Sequence, residues 1–198
     1  MALAQMASVS YGMGTKRNPC ADREAPLRVN AIFIWQLLTY MATLEHLAAA
    51  DKLLKHEPDL DESELSERIA YFSPGFDHWL DATLRQLAFR AGRDLTPFEQ
   101  AEQILYEFVA GQPMAYSVHY RKLEPLMAHV WELKTPDVRL FGWFPKRAII
   151  VLVCGTLKEN VKKFGDYAPF IREVIAFRDA LALDNPKAIT GVGRHEVL

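Results

Sequence analysis

The sequence predicts an α+β fold: a small antiparallel twisted sheet with helices packed on one face, plus an N-terminal helical extension. Three observations predict it. From residue 66 onward the apolar periods run strand, helix, helix, three strands, helix, so strands and helices are segregated. Three apolar runs follow one another at 130–134 (VWELK), 138–144 (VRLFGWF) and 148–154 (AIIVLVC), parted only by Thr135-Pro136-Asp137 and Pro145-Lys146-Arg147. Connections that short join antiparallel neighbours, which makes a meander. Finally, Ser73-Pro74 and Thr96-Pro97 are helix start signals, the second completed as a capping box by Glu99.

The elements follow in order. Residues 31–56 read as one helix, with Ile34, Leu37, Leu38, Met41, Leu44 and Leu47 on an apolar stripe and Pro58 as its stop. Residues 59–67 (DLDESELSE) carry five carboxylates and read as a solvated linker, or as a strap over a basic surface elsewhere. Residues 68–72 (RIAYF) form a strand. The helix after it runs from Pro74 to about Ala91, with Phe76, Trp79, Leu80, Thr83, Leu84 and Leu87 inward. The next spans Thr96 to about Ala110 and ends at Gly111 and Pro113.

A loop covers 111–128, the meander follows, and Gly155 closes it. The last strand is apolar on both faces, Ile149, Val151 and Val153 on one and Ile150, Leu152 and Cys154 on the other. Such a strand needs cover on both sides, and the 31–56 helix is the expected extra layer. A final amphipathic helix covers about Tyr167 to Leu181, with Phe170, Val174, Phe177 and Leu181 inward. The domain division is then an extension at 1–57, a domain at 66–183 and an irregular tail at 184–198.

Composition narrows the function classes. Half of the 198 residues are hydrophobic and 24% are charged, which excludes a disordered tail protein. Cys20 and Cys154 cannot build a disulfide framework, so a reducing, cytoplasmic compartment is expected. Cys154, at a strand end, reads as core rather than as a nucleophile. The apolar run at 31–44 is short for a bilayer, and no membrane association is expected. The six His show no HxxxH or HExxH spacing, so no metal and no cofactor is expected.

The net charge of -2 hides a partition. Between His119 and Lys163 lie nine basic residues against four acidic ones, and the rest of the chain is correspondingly acidic. That pattern is the footprint of a polyanion partner, or else charge placed for solubility and edge protection. Arg139 sits inside a strand on the face of Phe141 and Trp143, where it must be paired, stacked or turned to a site. If Pro136 and Asp137 make a two-residue turn, Lys134 faces Arg139 across the strands, and the pair calls for an anion between them. A different register separates them.

The passages RIAYFSPGF (68–76), VWELKTPDVRLFGWFPKRAIIVLVCG (130–155) and LKENVKK (157–163) resemble the RelE/HigB superfamily, toxins of bacterial toxin–antitoxin modules, often phage-associated. The resemblance covers about residues 66–182, and the meander is its specific part. It implies a ribosome-dependent, metal-independent mRNA endonuclease that inhibits translation. In that family a basic sheet surface meets the message, and the 2′-hydroxyl attacks the adjacent phosphate. Carried onto this chain, the resemblance makes Arg139, Lys134 and Lys158 the phosphate-facing cations. Tyr167 is the nearest acid–base candidate, with His119 and His129 behind it. Arg121, Lys122, Lys146, Arg147, Lys162 and Lys163 are expected to contact the RNA backbone. The implied partners are mRNA on the ribosome and a cognate antitoxin protein, with a homodimer through the N-terminal helix as a further expectation. A non-catalytic RNA- or protein-binding module on the same fold is the alternative.

Overall fold

The computed structural model describes residues 43–193 and 195–198. The fold is α+β. Its strands are β1 (Leu54–His56), β2 (Ile69–Phe72), β3 (Tyr120–Lys122), β4 (Trp131–Lys134), β5 (Val138–Lys146) and β6 (Ile149–Leu157). They form one sheet in the order β1-β2-β6-β5-β4-β3. The expected meander is β4-β5-β6, antiparallel throughout. The sheet as a whole is mixed rather than antiparallel, because β2 runs parallel to β6. The long passage from β2 to β6 through helices and the meander makes that pairing possible.

Helices cover both faces rather than one. On the first face lie α1 (Pro74–Trp79), which continues into a π-helical turn at Leu80–Leu84, and α2 (Pro97–Val109). Their Phe76, Leu80, Leu84, Leu105 and Phe108 pack with Leu140, Ile150 and Leu152 of the sheet. On the second face, α4 (Ala168–Ala180) places Ile171 and Val174 against Phe141, Trp143 and Val151. The physical cause is the doubly apolar β6, as the sequence required.

The start signals act as expected. The Ser73 hydroxyl accepts from the Phe76 N–H at 3.1 Å. Thr96 and Glu99 form the complete capping box. The helix expected to reach Ala91 instead ends near Leu84, and Thr83 is exposed. The turn at Leu80–Leu84 closes with an Arg85 N–H to Leu80 carbonyl bond, which keeps Phe76, Leu80 and Leu84 on one line over the sheet.

The helix expected over 31–56 is corrected at its end; residues 31–42 lie outside the described residues. Residues 43–49 are helical, and Asp51 takes a left-handed conformation that stops the helix. Leu54–His56 then form β1 on β2, pairing Leu54 with Phe72 and His56 with Ala70. Edge pairing overrides the helix-forming composition there. Leu44 and Leu53 are fully buried in the second-face core, so this segment does supply the expected cover. The tail at 184–198 is irregular but anchored. The Ile189 N–H donates to the Phe144 carbonyl, and the Ala148 N–H donates to that of Val197.

Two glycines set the meander's shape. Gly155 does not close β6 but lies within it, where the Trp79 ring occupies the space of a side chain. At Gly142 the β5–β6 register shifts, and a Cβ would overlap the Val151 carbonyl. Gly142→Ala should therefore cost about 2 to 3 kcal/mol, since the obstacle is backbone and cannot swing away. Calorimetric melting checks it; an unchanged midpoint would contradict the contact.

Candidate functional site

The site begins with the turn between β4 and β5. The Val138 N–H donates to the Thr135 hydroxyl at 2.9 Å, and the Thr135 N–H donates to the Val138 carbonyl at 3.1 Å. Gln100 of α2, almost wholly buried, locks the turn from beneath. Its amide oxygen accepts from the Thr135 hydroxyl and the Asp137 N–H, and its amide nitrogen donates to the Leu95 carbonyl and Asp137 Oδ2. Both ends of the buried amide are satisfied, which fixes the turn's geometry. The turn sets the register in which Lys134 faces Arg139, the first of the two alternatives above.

The anion that this pair calls for comes from the protein itself. Glu132 lies two residues before Lys134 on the same face of β4 and is 0% exposed. It accepts from Arg139 Nε at 3.1 Å and from Arg121 Nε, on β3, at 2.6 Å. The Tyr167 hydroxyl, at the start of α4, lies 3.4 Å from Glu132 Oε1 and accepts from Arg121 Nη2 at 2.7 Å. Arg139 Nη1 also donates to the Thr135 and Val138 carbonyls at 2.5 and 2.7 Å. Each arginine is thus held by several bonds, in a fork whose orientation is fixed.

Lys158 opens α3 (Lys158–Phe164), and its N–H donates to the Asp137 carbonyl at 2.7 Å. The strand β6 delivers it beside Val138, the neighbour of Arg139. Burial holds the Lys158 ammonium below its ordinary pKa, and the fields of Arg139, Lys162 and Arg93 add to that. Lys134 is lowered by burial too, with Glu132 opposing and Arg121, Arg139 and Lys158 reinforcing. Its ammonium donates to the Ser117 carbonyl. The Tyr167 phenol is pushed up by burial and by Glu132, against Arg121 and Arg139, so it keeps its proton.

Lys134, Arg139, Lys158 and Tyr167 therefore meet at one end of one sheet face, and Arg121 joins them. Lys162 extends the cluster along α3, and Lys163 lies near Glu159, which pairs with Arg90. The other expected RNA contacts lie elsewhere. Lys146 and Arg147 sit at the far end of β5, and Arg147 donates to the Leu198 carbonyl at 3.0 Å. Lys122 points to the opposite sheet face from Arg121, beside Trp131 and 3.2 Å from His129. That places His129 off the cluster, whereas His119 borders it, its Nδ1 accepting from the Ala115 N–H.

Sequence reasoning missed Glu132, counting it only as one acid in a basic segment. The signal was available: a Glu two residues before a Lys on a strand shares its face, diagonal to whatever faces that Lys. Trp143 and Phe141 are fully buried core rather than stacking platforms. Cys154 is buried with its thiol pushed far up by burial, which fits core. The acidic segment packs at the C-terminal end of α2, where the Glu67 and Arg68 N–H groups reach the Val109 carbonyl and Tyr106 donates to Glu64. It lies at the other end of α2 from the cluster and most of its residues are exposed, so it is a solvated connection and not a strap over the basic residues. Among the described residues no group of three His, Cys, Asp or Glu is placed to hold a metal, and no helix is long and apolar enough to cross a membrane. No protein-family model, curated protein or solved structure matches the chain.

Proposed function

We propose that the chain is a ribosome-dependent, metal-independent mRNA endonuclease of the RelE/HigB toxin kind, acting in the cytoplasm and held by a cognate antitoxin protein. The observation that carries this reading is the meeting of Lys134, Arg139 and Lys158, from three different elements, around a turn locked by Gln100. Cations preorganised in a partly buried site stabilise the charge that develops on a pentavalent phosphate.

The ribose 2′-oxygen attacks the adjacent phosphorus and loses its proton to a base. The P–O5′ bond breaks, and the departing oxygen takes up a proton. The products are a 2′,3′-cyclic phosphate and a 5′-hydroxyl. Arg139 and Lys158 hold the phosphoryl oxygens. Lys134, whose depressed pKa eases proton exchange, serves the proton transfers, and neutral Tyr167 donates a hydrogen bond. Glu132 keeps the arginines aimed.

One observation favours the alternative of a binding module without cleavage: Glu132 already engages both arginines and offsets part of their charge. Induced expression of the full chain in growing bacteria decides between them. The nuclease reading expects growth arrest and cuts confined to translated regions of mRNA, ending in cyclic phosphate. Undisturbed growth with intact transcripts overturns it.

A further inference from the structure

A cavity of about 480 Å³ lies at the other end of β4 from Lys134, between His129, the end of α4 and the segment 185–190. The extended chain sets His129 and Lys134 roughly 16 Å apart, so the cavity is separate from the basic cluster. Its side chains are cationic. Arg178, in the last turn of α4, is 11% exposed and is fixed by the bond from its Nη1 to the Ala128 carbonyl at 2.8 Å. That bond uses one of the five guanidinium donors. Asp179 Oδ1 stands 3.6 Å from Arg178 Nε, too far for a hydrogen bond, and the Asp179 side chain is 65% exposed.

The Lys187 ammonium donates to the Asp179 and Leu181 carbonyls at 2.7 and 2.6 Å. It thereby covers the negative end of the α4 dipole, which would otherwise repel an anion. The wall behind it is fixed, since Ala188 is buried and the Trp143 indole N–H donates to the Lys187 carbonyl at 2.9 Å. On the facing wall, the left-handed backbone of His129 closes the single turn at Leu126–Ala128. His129 Nδ1 lies 3.2 Å from the Lys122 ammonium, which can only donate, so the neutral ring carries its proton on Nε2. Burial and the fields of Lys122 and Arg178 hold the His129 pKa below its ordinary value and keep the ring neutral.

We propose that this cavity binds the phosphate of a small phosphate monoester. The site is independent of the nuclease reading and holds or fails without it. The Arg178 fork, the Lys187 ammonium and the His129 ring come from three separate segments to one space. A phosphate monoester is close to a dianion near neutral pH and has three terminal oxygens, so it can take a donor from each segment. A carboxylate or a phosphodiester carries only one charge. A cation is repelled by Arg178 and Lys187, against which the described lining sets one carboxylate, Asp179. The volume falls within the range of small-ligand pockets, about 300 to 1,000 Å³, and leaves room for more than a phosphate. Asn185 and Thr190 give that remaining lining an amide and a hydroxyl, which suit the oxygens of a sugar.

The test titrates ribose 5-phosphate, orthophosphate and dimethyl phosphate into the full chain slightly above neutral pH, followed by ¹⁵N NMR. The amides of residues 128–129, 178–179 and 187–190 should shift and saturate. Ribose 5-phosphate should bind about tenfold more tightly than the singly charged dimethyl phosphate, and a few-fold more tightly than orthophosphate. Arg178→Gln should weaken ribose 5-phosphate about tenfold. Because Arg178 also ties α4 to the Ala128 carbonyl, Asp179→Asn probes the site from the other side. It removes the opposing carboxylate from an exposed position and should tighten binding about threefold, a gain that a damaged fold does not give. Three results each overturn the site: shifts confined to the Lys134 and Arg139 cluster, dimethyl phosphate bound as tightly as ribose 5-phosphate, or unchanged affinity in Asp179→Asn.

Discussion

Replacing Arg139 by Lys should lower cleavage of ribosome-bound mRNA about 100-fold, and Arg139→Ala by more, with growth arrest lost in both. Charge is not what Lys removes. The guanidinium reaches Glu132 through Nε and two carbonyls through Nη1, so its plane is set before any substrate arrives. A lysine ammonium is a point charge on a flexible stem and cannot hold that orientation. Ribosome binding should fall only a few-fold, because Lys134, Lys158 and Lys162 still supply the salt-dependent attraction to RNA. Single-turnover cleavage and a binding titration on the same ribosomes separate the two quantities. Cleavage by Arg139→Lys at the wild-type rate would remove the guanidinium from the mechanism. Undiminished arrest by Arg139→Ala would remove the cluster.

Much of this geometry was legible in the sequence, and the reason is local. The meander's short connections fix its pairing, whereas the facing of Lys134 and Arg139 was one of two registers the sequence left open, decided by the turn that Gln100 locks. The caps at Ser73 and Thr96 were legible because their side chains act within three residues. Long-range pairings were less so. The parallel β2–β6 contact joins residues some eighty positions apart and leaves no local mark. β1 and β3 are three-residue edge strands whose existence depends on a neighbour rather than on their own composition. Gln100 looked like one more polar helix residue, yet it locks the turn on which the cluster stands. Glu132 was hidden by counting charge along the chain, where it subtracts from a basic segment. In space it is the centre on which that segment is organised.

The Glu132 carboxylate therefore carries a stability prediction of its own, being fully buried between two arginines. Glu132→Leu removes the partner of Arg139, whose side chain is only 11% exposed, and of Arg121, which is 37% exposed. Arg121 can turn to solvent, so most of the loss falls on Arg139. Deleting one side of a buried ion pair costs about 3 to 5 kcal/mol, and the lower end applies with one arginine free to rehydrate. For a chain of this size about 3 kcal/mol lowers the melting midpoint by about 6 to 12 °C. Leucine is somewhat bulkier than glutamate, so overpacking at this buried position must be separated from the stranded guanidinium. The double variant Glu132→Leu, Arg139→Leu discriminates: with both charges gone, it should melt well above the Glu132→Leu single variant. If the single variant melts like wild type, the arginines do not depend on Glu132. If the double variant melts no higher than the single, the loss lies in the shape of β4 and not in the ion pair.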